Sequence, residues 1–154
     1  MGQSTDAILF FGAVYTEEGE GPWTETIDYY ELDESGEEFD SENWLATLYG
    51  WAGEPDLEYG DDTRAAFVES WDKKRIVLDG LPMEIEHHCS GGYPMAYVAI
   101  KEAHTTAWRG HPQKVETKPP PQEWLKALNA FYEKAGIEQK DRPEFGWYLV
   151  SMWN

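Results

Sequence analysis

The chain has 154 residues, a formal net charge of −18 and a hydrophobic content of 41% that includes eight tryptophans. A disordered polyanion carries few aromatic residues, so this composition indicates one folded domain, residues 1–154, with a negatively charged surface. The chain contains one cysteine, which excludes an internal disulfide. It has neither a long apolar run nor a basic signal-peptide region, so we predict a cytoplasmic protein without membrane contact.

The first predicted elements are a strand, its hairpin partner and a short helix. Residues 7–15, AILFFGAVY, form a continuous apolar run next to a Gly-containing turn, which predicts a strand buried in a sheet. Residues 24–32 are predicted to pair with it as a hairpin. Residues 40–51 predict a helix, because Asp40 or Ser41 can cap its start and apolar residues then recur at helical spacing.

A loop, a second helix and a second hairpin are predicted next. The loop covers residues 54–62 and the helix residues 63–74, with Phe67 and Trp71 facing inward. Residues 75–89 contain two alternating segments around an Asp-Gly pair, which is typical of a β-hairpin turn.

The last predicted elements are a strand at residues 93–103, a helix at 119–136 and a strand at 145–154. The helix begins after three prolines, buries an apolar stripe and ends at Gly136. Strands and helices alternate without the regular spacing of parallel βαβ units. We therefore predict an α+β fold, a mainly antiparallel sheet with two or three helices packed on it.

Negative charge is concentrated in an acidic N-terminal part, residues 1–62. This part contains eighteen Asp and Glu and no Lys, Arg or His, whereas the charge-balanced part, residues 63–154, contains twelve acids and twelve Lys and Arg. The densest stretch, DESGEEFDSENW at 33–44, lacks the residue order of a calcium-binding EF-hand loop. Uncompensated like charges destabilise a compact state, so a folded protein that keeps them is expected to use them.

The predicted use is imitation of a nucleic-acid backbone. Duplex DNA carries one negative charge per about 1.7 Å of axis, so eighteen carboxylates match about 30 Å of duplex. We expect this surface to enter the basic nucleic-acid-binding groove of a host complex, without contacting nucleic acid itself, and to bind less tightly in salt. The carboxylates assigned to this role are Glu31, Asp33, Glu34, Glu37, Glu38, Asp40, Glu42, Asp56, Glu58, Asp61 and Asp62.

Aromatic residues lie among these acids. Tyr29, Tyr30 and Tyr59 are predicted to contact the partner, because exposed aromatic side chains are frequent anchors of protein interfaces. A core position is an equally open alternative for all three. Trp44 and Trp51 are predicted to be core residues.

A second hypothesis is a small hydrolase or metal-binding enzyme centred on the stretch EIEHHCSGGYP. His87, His88 and Cys89, together with His104, supply the side chains of a zinc site or of a Cys-His nucleophilic pair. Neighbouring strand residues point to opposite faces, so His87 and Cys89 share one face and Glu86 and His88 the other. Neither a C-x-x-C pair nor an H-E-x-x-H motif is present. Packing roles are therefore predicted, and no catalytic residue, metal or cofactor is assigned.

Three stretches of the chain resemble a group of small proteins encoded by tailed bacteriophages. They are DAILFFGAVYTEEGEGPW at 6–23, IEHHCSGGYPMAYVAIKEAHTTAWRGHP at 85–112 and GWYLVSMWN at 146–154. The similarity covers residues 1–23 and 85–154, through His88, Cys89, Ser90, Tyr93, Pro94, Trp108, Arg109, Gly110 and Pro112. The group has no assigned activity, so the resemblance implies a phage accessory protein and supplies no catalytic residue. Phages use small acidic proteins against host restriction and CRISPR systems, which implies an anti-defence role by analogy.

These observations predict a non-enzymatic inhibitor of a host CRISPR effector or restriction enzyme that acts in the cytoplasm of the infected bacterium. The enzyme hypothesis would instead require bound zinc, or an activity lost in Cys89→Ala and His88→Ala. A phage structural or assembly protein is a third alternative, tested by size in solution and by presence in virions.

Overall fold

A computed structural model describes residues 5–24 and 39–153. In these residues the chain forms three α-helices and four β-strands, which confirms the predicted α+β class. In chain order they are β1 (Thr5–Val14), α1 (Ser41–Leu48), α2 (Arg64–Asp79), β2 (Met83–Ser90), β3 (Tyr93–Ala107), α3 (Gln122–Lys134) and β4 (Gly146–Trp153). None of these three helices combines the length and the apolar character that a membrane crossing requires.

The chain divides into two compact units. The first unit combines Met1–Phe39 with Pro82–Asn154, and the second unit is Asp40–Leu81. The hairpin partner predicted at residues 24–32 lies outside the described residues from residue 25 onward.

The sheet of the first unit is closed, with the strand order β1-β3-β2-β4. β1 pairs antiparallel with β3 and β4, and β2 pairs antiparallel with β3. β2 and β4 close the sheet in parallel, through Cys89 with Met152 and Ser90 with Trp153. The sheet is therefore mainly antiparallel, as predicted, and mixed because of this one parallel pairing.

Aromatic and aliphatic side chains form the core of this unit. Ile8, Phe10, Tyr97 and Ala99 make a buried cluster, against which side chains of β4 such as Tyr148 and Val150 pack. The rings of Phe10 and Tyr97 are stacked with their centroids 4.3 Å apart. The apolar run predicted as a buried strand supplies half of this cluster.

β1 contains an irregularity at which a side chain would not fit. Its register with β3 shifts between Phe10 and Gly12. A Cβ atom on Gly12 would lie 1.8 Å from the carbonyl oxygen of Val98, far inside van der Waals contact. A residue without a side chain is therefore required at this point of β1.

Helix α3 confirms the clearest helix prediction. Leu128, Phe131 and Tyr132 are buried, and Gly136 follows the helix with a φ of 81°. The Tyr132 hydroxyl lies 3.1 Å from the hydroxyl of Tyr15, which joins the helix to the segment after β1.

The second unit consists of α1, α2 and the loop between them. Trp51 is buried, as predicted, and its Nε1–H donates to both the carbonyl and the Oγ of Ser70 in α2. The Ser70 hydroxyl in turn donates to the carbonyl of Gly53 at 2.8 Å. Trp44, the other predicted core tryptophan, is half-buried.

The hairpin predicted around the Asp-Gly pair at 79–80 is wrong. Residues 75–79 continue α2, and the Gly80 N–H still donates to the carbonyl of Ile76 as in a helix. The pair ends a helix instead of turning a hairpin, since the four residues before it remain in the helical hydrogen-bond pattern. Only the second half of the predicted hairpin, β2, is a strand.

Candidate functional site

The predicted partner-binding residues fall into two groups. Those outside the described residues are Tyr29, Tyr30, Glu31, Asp33, Glu34, Glu37 and Glu38. Those within the described residues all belong to the second unit, and they are Asp40, Glu42, Asp56, Glu58, Tyr59, Asp61 and Asp62.

The acids at the start of α1 have structural contacts. Asp40 caps the helix as predicted, because its Oδ1 accepts hydrogen bonds from the backbone N–H groups of Glu42 and Asn43 at 2.8 and 3.1 Å. Lys74 Nζ lies 3.8 Å from Asp40 Oδ2 and 3.4 Å from Glu42 Oε2. Its side chain is 16% exposed and its ammonium lies over the ring of Trp51. These two carboxylates are therefore partly compensated by a cation from α2.

The loop at residues 54–62 carries acids of a different kind. Asp56, Glu58, Asp61 and Asp62 are exposed, and no Lys, Arg or His of the described residues lies within 4 Å of their carboxylates. Two of the three acids of α2 are instead paired, Glu69 with Lys73 and Asp72 with Arg75. The hydrogen bond from Lys73 holds the pKa of Glu69 below its usual value.

Hydrogen bonds to Thr63 hold the shape of this loop. The Thr63 hydroxyl accepts from the Gly60 N–H at 2.9 Å and lies 2.8 Å from the carbonyl of Glu58, to which it donates. The backbone N–H of Thr63 donates to the carbonyl of Gly60. The loop acids thus project from backbone that is fixed at the entrance of α2.

Exposed aromatic side chains lie beside the loop acids. Tyr59 is 58% exposed, and its ring makes an edge-to-face contact with buried Phe67 at 5.1 Å between centroids. Trp71, predicted to face inward, is 43% exposed, with its centroid 6.3 Å from that of Tyr59 and the two rings 24° from parallel. The Trp71 Nε1–H donates to Glu54 Oε1 at 2.9 Å. Sequence reasoning missed Trp71 and Glu54, because the helical stripe containing Phe67 was expected to be buried along its whole length.

The stretch with His87, His88 and Cys89 lies on β2 and at its end. His88 Nε2 is 2.9 Å from the carbonyl oxygen of Tyr15, and Cys89 has a φ of 79°, which a residue with a side chain rarely adopts. Within residues 5–24 and 39–153, no three His, Cys, Asp or Glu side chains are grouped closely enough to hold a metal ion.

His104 belongs to a hydrogen-bonded series in the first unit. Its Nδ1 lies 2.7 Å from Glu84 Oε1, and its Nε2 lies 3.2 Å from the hydroxyl of Tyr97. Burial raises the pKa of Tyr97 well above its usual value, and the carboxylates of Glu86 and Glu84 raise it further. Tyr97 therefore stays neutral, and both ring nitrogens of His104 are engaged with partners other than Cys89.

A cleft of about 410 Å³ in the first unit is lined by Trp124, Trp147 and the segment before α3. The Trp147 indole N–H donates to the carbonyl of Lys118, and that of Trp124 donates to Glu102. Both tryptophan N–H groups are thus occupied within the protein, and the cleft contains none of the predicted partner-binding residues.

Comparisons with known proteins returned no relative. No protein-family model, no curated protein and no solved structure matches the chain.

Proposed function

We propose that the protein is a phage-encoded inhibitor of a host nucleic-acid-targeting complex, a CRISPR effector or a restriction enzyme. Its acidic surface imitates a nucleic-acid backbone and occupies the basic groove of that complex. It binds no nucleic acid, performs no catalysis and acts in the cytoplasm of the infected bacterium.

The proposal depends on one observation, the four uncompensated acids of the loop. Asp56, Glu58, Asp61 and Asp62 are exposed with no Lys, Arg or His of the described residues within 4 Å, although Glu69 and Asp72 of α2 are paired with Lys73 and Arg75. Like charges left together repel one another, and that cost is recovered when a partner supplies the opposite charge. A groove that binds phosphates supplies that charge in the form of Lys and Arg side chains.

Salt dependence provides the first test. The purified protein should bind a host nuclease complex at low ionic strength. The complex should dissociate at high ionic strength, and duplex DNA should displace the protein from the nuclease. Screening of exposed charges predicts this behaviour, since the Debye length falls from about 10 Å at 0.1 M salt to about 3 Å at 1 M. A partner that stays bound in high salt and ignores DNA would exclude the mimicry mechanism.

Charge reversal provides the second test. A variant with Asp56→Lys, Glu58→Lys, Asp61→Lys and Asp62→Lys should lose inhibition of DNA cleavage while keeping the circular dichroism spectrum of the wild type. The matched control reverses four exposed acids of the charge-balanced part, Glu116, Glu133, Glu138 and Glu144. Both variants change the net charge equally. Equal inhibition by the loop variant and the wild type would refute the mechanism.

A further inference from the structure

Tyr59 and Trp71 form an exposed aromatic pair on the second unit. Each ring has a contact within the protein, Tyr59 with the ring of Phe67 in a T-shaped arrangement and Trp71 through its N–H donated to Glu54. The two rings are 24° from parallel with centroids 6.3 Å apart, so they present similarly oriented flat faces. Fixed aromatic faces are favourable contact surfaces because little side-chain freedom is lost on binding.

The segment that carries Tyr59, residues 54–62, contains five acidic residues and no Lys, Arg or His. Glu54, Asp56, Glu58, Asp61 and Asp62 belong to the loop that carries Tyr59, and the carboxylate of Glu54 contacts Trp71 directly. Among the cations of α2, Lys73 and Arg75 are bonded to Glu69 and Asp72 of their own helix, and Lys74 contacts Asp40 and Glu42. Arg64, at the start of α2, has no carboxylate of the described residues within 4 Å. Exposed aromatic faces next to a loop rich in carboxylates are complementary to a group that is both planar and positively charged.

We propose that Tyr59 and Trp71 bind arginine side chains of the partner, in preference to lysine. The guanidinium is planar, stacks on aromatic faces and offers several N–H donors to neighbouring carboxylates, whereas the lysine ammonium is a compact charge that keeps its water. The inference rests on the proposed function, because it specifies which basic residues of the groove the acidic surface recognises. It adds a contact that depends on ring faces and therefore persists when salt screens the charges.

Peptides of equal charge test the inference directly. Binding of fluorescein-labelled nona-arginine and nona-lysine should be measured by fluorescence anisotropy at 0.15 M and at 0.5 M salt. The wild type should bind nona-arginine more tightly, by about two- to fivefold for each side chain that stacks. The ratio of the two dissociation constants should be retained at the higher salt although both affinities fall. Equal affinity for the two peptides would overturn the inference.

Ring removal separates stacking from a general preference of carboxylates for arginine. The variant Tyr59→Leu with Trp71→Leu should lower the arginine-to-lysine ratio below that of the wild type. The matched control is Tyr93→Leu with Trp108→Leu, a tyrosine and a tryptophan that are also exposed, at 65% and 67%. The control should retain the wild-type ratio, and an equal loss in both variants would contradict the inference. Unchanged thermal midpoints would establish that each variant is folded.

The variant Glu54→Gln separates the two roles of Glu54, which are orienting the Trp71 ring and supplying a negative charge. Glutamine still offers an oxygen to the Trp71 N–H but removes one negative charge, so both peptides should bind less tightly, and their ratio should fall less than it does in the double ring variant. The two proposals fail on different results. Equal affinity of the wild type for nona-arginine and nona-lysine refutes arginine recognition alone. Full inhibition of DNA cleavage by the loop charge-reversal variant refutes the mimicry mechanism alone.

Discussion

The ammonium nitrogen of Lys74 lies 3.4 Å from the carboxylate oxygen Oε2 of Glu42. A cation from the charge-balanced part therefore reaches the acidic part, which contains none of its own. The acids of the second unit therefore differ in their contacts. Asp40 and Glu42, at the start of α1, contact Lys74 of α2, whereas the acids at 56–62 have no cation of the described residues within 4 Å.

Replacing Lys74 by methionine should weaken the second unit. Methionine keeps an unbranched side chain over Trp51 but removes both ion pairs and the cation–π contact, so the free energy of unfolding should fall by about 0.5–1 kcal/mol. Urea denaturation at 0.05 M and 0.5 M salt would measure this loss, which should shrink in the higher salt. Lys73→Met is the matched control, because its exposed pair with Glu69 should contribute less.

Replacing Gly12 by alanine should destabilise the closed sheet. The added Cβ would lie 1.8 Å from the Val98 carbonyl oxygen, so β1 and β3 would have to separate, at a cost of about 1–3 kcal/mol or more. Thermal unfolding would show the effect as a lower midpoint. Gly91→Ala is the control, since nothing lies within 4 Å of the position of its Cβ. Equal midpoints for the two variants would mean that the strands are not in close contact at Gly12.

Sequence patterns predicted the elements whose periodicity was unambiguous. The apolar run of β1, the stripe of α3 and the cap of α1 at Asp40 all have local causes, and each lies where expected. The helical end of α2 was missed because a short apolar segment before Asp-Gly fits a strand as well as a helix, and only tertiary packing distinguishes them. The exposure of Trp71 and the approach of Lys74 to Glu42 depend on how two helices meet, which periodicity alone does not determine.

The contributions of Glu84 and Tyr97 to stability should be coupled, because each contacts one ring nitrogen of His104. Glu84→Ala should cost about 1–2 kcal/mol by leaving His104 without its Nδ1 partner, and Tyr97→Phe about 1 kcal/mol. Both changes act through the same imidazole, so the double variant should lose less than the sum of the single losses. Urea denaturation of the four proteins would measure this coupling. Strict additivity would show that the two hydrogen bonds are independent.

Alkaline pH should destabilise the contact between Tyr15 and Tyr132. Burial raises the pKa of Tyr15 from its usual 10 to about 12 and raises that of Tyr132 as well. A raised pKa means that the folded state favours the protonated form, so this contribution to stability is complete below pH 10 and is lost between pH 10 and 12. Unfolding by urea at pH 9, 10.5 and 11.5 should show this decline. Tyr15→Phe should make the free energy of unfolding fall less steeply with pH. Tyr93→Phe, a control at an exposed site, should leave this pH dependence unchanged.

The two strand pairings that hold β4 in the closed sheet differ in length. β4 pairs with β1 over eight residues, but with β2 through only two pairs of described residues, and one of these includes Cys89 in its left-handed conformation. We therefore expect local opening of the closed sheet to separate β2 from β4 before it separates β4 from β1. The backbone amides of residues 89, 90, 152 and 153 should then exchange with solvent earlier than those of the long pairing between β1 and β4.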